Sequence, residues 1–364
     1  AHREWFFGLA NSWVQALYES HGYHAVAERC HHPDAAEIVW RYPCNLRVLQ
    51  HAEGVIVHSP ASTRLASQWI SPSAAERFTT IPLLRQPPKV QETRDAIRQR
   101  LALPQESLIV ASFGFIGPTK LNHRLVDAFL ASTLAQDPNC YLLLVGDTGQ
   151  DTYGQELHQK IRQAGLGERL RITGWNDDTD YHRYLATADI GVQLRTRSRG
   201  ETSAAVLDCM NYGLATIANA NGSMADLPNE AVLKIADDFT DAELISALES
   251  LHRDSAKRQA LSQAATHCLR TQHDPASCAK RYEQAIEDAY QQRINRAEAI
   301  AHTLQRHLPT VTQLSEADTC QLAACLDANF PEQPRQAVLH IDITEHLNTP
   351  GSQPLATALL AHWL

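Results

Sequence analysis

Lys120 stands two residues beyond a Gly-Pro pair in "SFGFIGPTKLNHRL" (residues 112–125), just ahead of an amphipathic run. Glycines such as Gly114 and Gly117 let a backbone approach a ligand closely. A helix N-terminus presents free N–H groups and the positive end of a dipole, and a lysine adds a full charge, so the string could hold an anion. A plain turn followed by a solvated lysine fits the same residues equally well. A second string, "RSRGETSAAVLDCMNYGLATIANANGS" (197–223), follows Arg195 and places Arg197 and Arg199 before Gly200 and Glu201. Thr202 and Ser203 then fall in the first turn of a helix with Val206, Leu207, Met210 and Tyr212 on its apolar side, stopped by Gly213. Free N–H groups in that first turn would face whatever is bound. Asp208, two turns in, is unusual for a buried helix face unless that face meets a ligand. Here too a capping Glu201 and a solvated arginine run would account for the pattern.

Both strings sit where a strand would end and a helix begin. Short apolar runs recur at 54–59, 108–115, 141–147, 170–175, 188–194, 214–220 and 231–237, and they read as buried parallel strands. Between them lie amphipathic segments of helical length at 123–133, 155–166, 180–188 and 241–254. The alternation predicts a doubly wound α/β order, whose ligands bind outside the carboxyl ends of the strands. "IPLLRQPPKVQETR" (81–94) interrupts the alternation with three prolines and reads as an interdomain linker.

Composition narrows the class. The chain has 364 residues, 44% hydrophobic and 20% charged, which is too long for one compact core and predicts more than one domain. A formal charge of −9 argues against a nucleic-acid partner, since phosphate neutralisation needs a basic surface. Eight cysteines are scattered without a C-x-x-C pair, which points to neither a zinc cage nor a disulfide framework and suits a reducing, cytoplasmic setting. No apolar stretch approaches the roughly 20 residues that span a bilayer, so at most a peripheral contact with the inner membrane face is expected.

Taken together, the motifs from Ala102 to about Tyr290 resemble the nucleotide-sugar-binding half of retaining glycosyltransferases of family four. The resemblance rests on the glycine loop with its lysine (114–120), "LLLVGD", "ITGWNDDTDYHRYLATADIGVQL" and "RGETSAAVLDCMNYGLATIANANGSMADLP" (199–228). Upstream, "ALYESHGYHAV" (16–26) and "YPCNLRVLQHAEGVIVHSPAS" (42–62) look like the end of the acceptor-side domain in bacterial polysaccharide and O-antigen enzymes of this type. The resemblance implies an α/β fold of two Rossmann-like domains facing a cleft (GT-B). It implies a partial acceptor-side domain over 1–88, a donor domain with a return helix over 89–290, a connector over 291–336, and the start of a further domain over 337–364, as in tandem polysaccharide enzymes.

Residue roles follow from the resemblance. Lys120 matches the lysine on the donor diphosphate, Asp208 the acid on the ribose hydroxyls, and Glu201 lies nearest the acid that reads the sugar. Gly117, Thr202, Ser203 and Trp175 complete the donor-side set. Two departures are visible: Glu201 and Asp208 enclose six residues where the family has seven, which would put the first acid at Gly200, and Phe115 lies where many members carry an arginine. A diphosphate with one cation is poorly neutralised, so Arg124, Arg195 or Arg199 is expected to supply another. His21, in "YESHGY", is the candidate for proton handling on the acceptor side. The implied activity is transfer of a sugar from a nucleoside-diphosphate sugar to a glycan or lipid-linked saccharide with retention. No cofactor and no metal are implied. The shifted acid and Phe115 leave two alternatives open: a non-catalytic glycosyltransferase-like module that binds a sugar nucleotide or a partner, and a sugar-nucleotide epimerase on the same fold.

Overall fold

The computed structural model describes residues 10–31, 35–69, 75–88, 90–149, 151–307 and 315–329. The chain divides into two units, Ala1–Gln291 and Gln292–Leu364. The first begins with three helices, α1 (Ala10–His31), α2 (Ala35–Arg41) and α3 (Leu46–His51), followed by β1 (Val55–Val57), α4 (Pro60–Trp69) and β2 (Phe78–Thr80). β1 and β2 run parallel, with Val55 opposite Phe78 and Val57 opposite Thr80. Trp13, Leu17, Ala25, Ile38 and Tyr42 form the buried cluster under these helices.

After an irregular segment the chain enters α5 (Arg94–Arg100) and β3 (Leu108–Phe113), then α6 (Asn122–Ala131), α7 (Thr133–Gln136), β4 (Cys140–Val145), α8 (Thr152–Gln163) and β5 (Leu170–Ile172). It continues through α9 (Asp178–Thr187), β6 (Ile190–Gln193), α10 (Ala204–Asn211), β7 (Ala215–Asn219) and β8 (Leu233–Ile235), and closes with α11 (Asp241–Arg253), α12 (Ser255–Gln272) and α13 (Pro275–His307). All six later strands are parallel, in the order β5-β4-β3-β6-β7-β8. Every run that the sequence marks as a strand is one. The second unit carries the end of α13 and α14 (Glu316–Asn329), and residues 337–364, expected to begin a further domain, lie outside the described residues.

Continuous apolar runs suit these strands because both faces of the sheet are covered. Side chains alternate between the faces. Val110, Leu142, Leu144, Ile190 and Ile217 point into one core with Phe129 and Leu248, while Ile109, Phe113, Leu143 and Val145 point into another with Leu185 and Cys209. Burying each of these large side chains contributes about 1.5–3 kcal/mol. The chain winds outward from β3 in one direction through β4 and β5, and in the other through β6, β7 and β8. The exits of β3 and β6 therefore diverge, and such a switch point opens a crevice at the carboxyl edge.

The segment read as a linker, 81–94, falls between the end of β2 at Thr80 and the start of α5 at Arg94. The return helix comes back to that crossing. Cys278 Sγ lies 3.3 Å from the Pro82 carbonyl, and the Tyr282 and His58 ring centroids are 6.5 Å apart.

The opposite edge of the sheet is locked by Arg98, which is only 2% exposed. Its guanidinium donates to Thr187 Oγ1 (3.1 Å), to the Ser107 carbonyl (2.9 Å) and to Asp189 Oδ2 (3.2 Å), and that oxygen also accepts from the Ile109 N–H at 2.8 Å. Asp189 keeps Arg94 as a second partner, but without Arg98 the buried Ser107 and Thr187 carbonyls lose a donor, at about 1–3 kcal/mol each. Arg98→Met should therefore destabilise the first unit by about that amount in a denaturant titration. A loss under about 1 kcal/mol, the range of an exposed pair, would show that the network is incidental.

Candidate functional site

The exit of β3 is shaped by two glycines. Gly114 has φ +100°, and a Cβ on Gly146 (φ +157°) would lie 2.1 Å from the Gly114 carbonyl oxygen, so only glycine lets the β3 and β4 exits pass this closely. The Ile116 N–H donates to the Asp147 carbonyl at 2.9 Å and the Gly117 N–H to Asn122 Oδ1 at 3.2 Å. Pro118–Lys120 then form one 3-10 turn, and Leu121, left-handed at φ +52°, starts α6. Lys120 is held where its ammonium is largely out of water. Burial is the main cause that pulls its pKa down to about 8, the Arg195 cation adds to the shift, and Glu201 opposes it. Among the described residues the ammonium has no hydrogen-bond or ion-pair partner.

The exit of β6 supplies the facing wall. Asn219, buried at the end of β7, accepts from the Arg195 N–H and donates to the Arg195 carbonyl, both at 2.8 Å. The Thr196 N–H donates to the Thr119 carbonyl at 3.0 Å, stitching this loop to the lysine turn. The Arg195 guanidinium ion-pairs with one oxygen of Glu201, and the other accepts from the Arg199 N–H at 2.7 Å. Ser203 takes the N-cap position of α10 without a side-chain capping bond. Thr202 Oγ1 is buried and has no hydrogen-bond partner among the described residues. Lys120, Arg195 and Glu201 thus lie close together at the exits of β3 and β6, while Thr202 and Ser203 at the start of α10 line a cavity with His58, Pro60 and Asp226.

Gly200 explains the displaced acid. Its φ is +92°, the Ser62 hydroxyl donates to its carbonyl at 2.7 Å, and a Cβ there would come within 3.1 Å of Leu65 Cδ1. A carboxylate-bearing residue at 200 would be strained and crowded by α4, whereas position 201 leaves the acid free to turn into the crevice.

Other residues singled out in the sequence lie elsewhere. Arg124 pairs with Asp241 at 2.6 Å, donates to the Phe239 carbonyl at 2.9 Å and stacks 3.9 Å over the Phe239 ring, so its charge is spent on packing. Arg199 lies 4.6 Å over Trp40 of α2, and Arg197 ion-pairs with Glu37 of the same helix. His21 lies half-buried among the first helices. Its Nε2 bonds the Pro43 carbonyl at 3.0 Å, its ring packs on Tyr42 and Trp69 with centroids 5.0 and 5.5 Å away, and burial lowers its pKa. Trp175 and Phe115 stand at the carboxyl edge, 77% and 64% exposed. Asp208 faces the linker: its Oδ1 is 2.9 Å from Arg85 Nε, and its Oδ2 accepts from the Tyr181 hydroxyl at 3.2 Å. Asn219 and Arg85 escaped the sequence reading, although a polar residue closing the apolar run "ATIAN" marks the first of them.

Among the described residues no group of three or more His, Cys, Asp or Glu side chains is placed to hold a metal ion, and no helix is long and apolar enough to cross a membrane.

Residues 93–267 match the family model described as Glycosyl transferases group 1. Two relatives come from Rhizobium meliloti (strain 1021). The lipopolysaccharide core biosynthesis glycosyltransferase LpsD is 28% identical over 194 residues, 53% of this chain and 51% of that protein. The lipopolysaccharide core biosynthesis glycosyltransferase LpsE is 26% identical over 196 residues, 54% of this chain and 52% of that protein. The chain thus spans about half the length of the curated relatives it matches. Among solved structures, Anabaena Alr3699/HepE in complex with UDP superposes with a TM-score of 0.59 at 20% identity, covering 77% of this chain and 82% of that one. At that identity the likeness is one of fold. The match to the glycosyl transferases group 1 model thus falls on the domain built on the six-stranded sheet, residues 93–267, in a chain whose mixed α/β fold matches GT-B glycosyltransferase structures.

Proposed function

We propose that the chain transfers a sugar from a nucleoside-diphosphate sugar to a glycan or lipid-linked saccharide, with retention at the anomeric carbon and with no cofactor. The observation that carries this reading is the Lys120 ammonium, half-buried, without a hydrogen-bond or ion-pair partner among the described residues, beside Arg195 and Glu201 at the β3/β6 switch point. A dianionic leaving group would supply the missing counter-charge. The names of the lipopolysaccharide glycosyltransferases and the UDP held by the Anabaena protein support the acceptor and donor classes.

The chemistry follows from the arrangement. Charge grows on the diphosphate as the glycosidic bond breaks, and preorganised donors in a dry crevice stabilise that charge more than water does. Lys120 and the free N–H groups of α10 fill this role. Arg195 is already bound to Glu201; an arriving phosphate competes for its guanidinium, provides the second cation, and releases Glu201 to accept hydroxyl hydrogens from the sugar. His21 takes no part, because its ring is committed to the helical core.

Titration calorimetry with UDP, GDP and ADP, and with the nucleoside of the tightest binder, tests the assignment. Lys120→Ala should weaken diphosphate binding by roughly ten- to a hundredfold, since a charge-assisted hydrogen bond is worth about 1.5–3 kcal/mol, and leave nucleoside binding unchanged. A variant that binds the diphosphate as well as the parent does would make Lys120 a surface lysine and remove the donor site with it.

The depressed pKa carries a stability consequence of definite sign. Between about pH 8 and 10.5 the unfolded chain holds a proton that the folded Lys120 has released, so this residue makes stability rise with pH across that window. Below pH 8 the full penalty of burying the ammonium is present. Lys120→Met should therefore melt higher than the parent at pH 7, and the advantage should vanish as the pH approaches 10.5. A variant that melts lower at pH 7 would mean that the lysine holds the fold together.

A further inference from the structure

The loop that carries Glu201, between β6 and α10, is gripped from two sides. From within the six-stranded domain, Asn221 Oδ1 accepts from the Ser198 N–H at 3.2 Å, and the Ser223 hydroxyl donates to the Glu201 carbonyl at 2.8 Å. The first helices supply the other grip. Glu37 of α2 ion-pairs with Arg197, the Arg199 guanidinium lies 4.6 Å over the Trp40 ring of the same helix, and the Ser62 hydroxyl of α4 donates to the Gly200 carbonyl at 2.7 Å. Glu37 and Trp40 are three residues apart, which puts them on one face of α2.

The backbone beneath these contacts is strained. Arg197 has φ +58°, a left-handed conformation that is unfavourable for a residue with a Cβ and persists only where the surroundings over-determine it. Its ion pair with Glu37 fixes the kink from outside the loop. Two residues later the Arg199 N–H donates to Glu201 Oε2 at 2.7 Å, while Arg195 pairs with Oε1. Once a phosphate draws Arg195 away, the Arg199 N–H is the tether that aims the carboxylate.

We propose that Glu37 and Trp40 are positioning residues for Glu201: by gripping Arg197 and Arg199 they hold the kinked loop in the conformation that directs the acid at the donor's sugar. The inference rests on the donor-site reading above and goes beyond it, because it gives the first helices a share in recognising the sugar. A shift of α2 against the loop changes the hold on the sugar and leaves the contact of Lys120 with the diphosphate as it was.

Calorimetry with UDP, GDP and ADP, and with UDP-glucose, GDP-mannose and ADP-glucose, gives for the tightest pair one affinity that includes the sugar and one that does not. Glu201→Gln should weaken the nucleotide sugar by roughly tenfold, as expected for hydrogen bonds to a charged group, and leave the diphosphate within about twofold. Glu37→Gln and Trp40→Leu should each weaken the nucleotide sugar alone, by roughly three- to tenfold, because a misplaced group loses much of its effect. Trp40→Phe, which keeps a ring beneath Arg199, should stay close to the parent. In the Glu201→Gln background neither variant should have a further effect, since the group it positions is gone. Should Trp40→Leu fail to fold, Glu37→Gln carries the comparison. A merely structural role would weaken both ligands, or weaken the nucleotide sugar equally with and without the acid, and either result overturns the proposal, as does parental affinity in both variants. If Glu201→Gln itself leaves the nucleotide sugar unaffected, the proposal falls, while a weakened diphosphate in Lys120→Ala still upholds the donor site. A parent that binds none of the six ligands fells both.

Discussion

An ammonium taken out of water without a counter-ion is unfavourable, and much of the first unit is organised around keeping Lys120 in that condition. Two positive-φ glycines bring the exits of β3 and β4 together, a single 3-10 turn fixes the lysine, and the Thr196–Thr119 bond closes the β6 loop against it. The carboxylate that could neutralise it, Glu201, is held instead by Arg195. Burial of the ammonium thus costs the folded state free energy, which the diphosphate of the proposed donor would offset.

The rest of the unit supplies rigidity to that arrangement. Residues buried on both faces of the sheet set β3 and β6 side by side, with Val110 opposite Ile190, and the Arg98 network ties down the far edge so that divergence is confined to the carboxyl end. The first helices meet the six-stranded domain through polar and cation–ring contacts, among them Ser62 with Gly200, Arg64 and the Ala61 N–H with Asp226, Glu37 with Arg197, and Trp40 with Arg199. Contacts of this kind permit one part to move against the other more readily than a broad apolar seam would.

The strands of the six-stranded domain were legible because burial on both faces writes continuous apolar runs into the chain. β2, three residues of which Thr79 and Thr80 are exposed, carries no such signal and stayed hidden beside the prolines. The Lys120 turn and the Glu201 loop were legible as a Gly-Pro turn and a Gly-stopped helix at strand ends. Arg124 was misassigned because closeness to a helix start says nothing of which way a long side chain turns, and its partner Asp241 is remote in sequence. His21 failed for a similar reason: a histidine flanked by polar residues looks exposed until Tyr42 and Trp69 close over it. The Arg85–Asp208 pair joins a proline-rich linker to a helix far along the chain, and only the folded structure brings them together.

The central claim is that Lys120 is a desolvated cation awaiting a polyanion, and its own titration tests this most directly. Selective isotope labelling of lysine side chains, with Lys120→Arg to assign the resonance, gives the ammonium pKa by NMR. The account predicts a value of about 8 in the free protein, well below the ordinary 10.5, and a rise above it when a nucleoside diphosphate is bound. A pKa of about 10.5 in the free protein that does not respond to the diphosphate would contradict it.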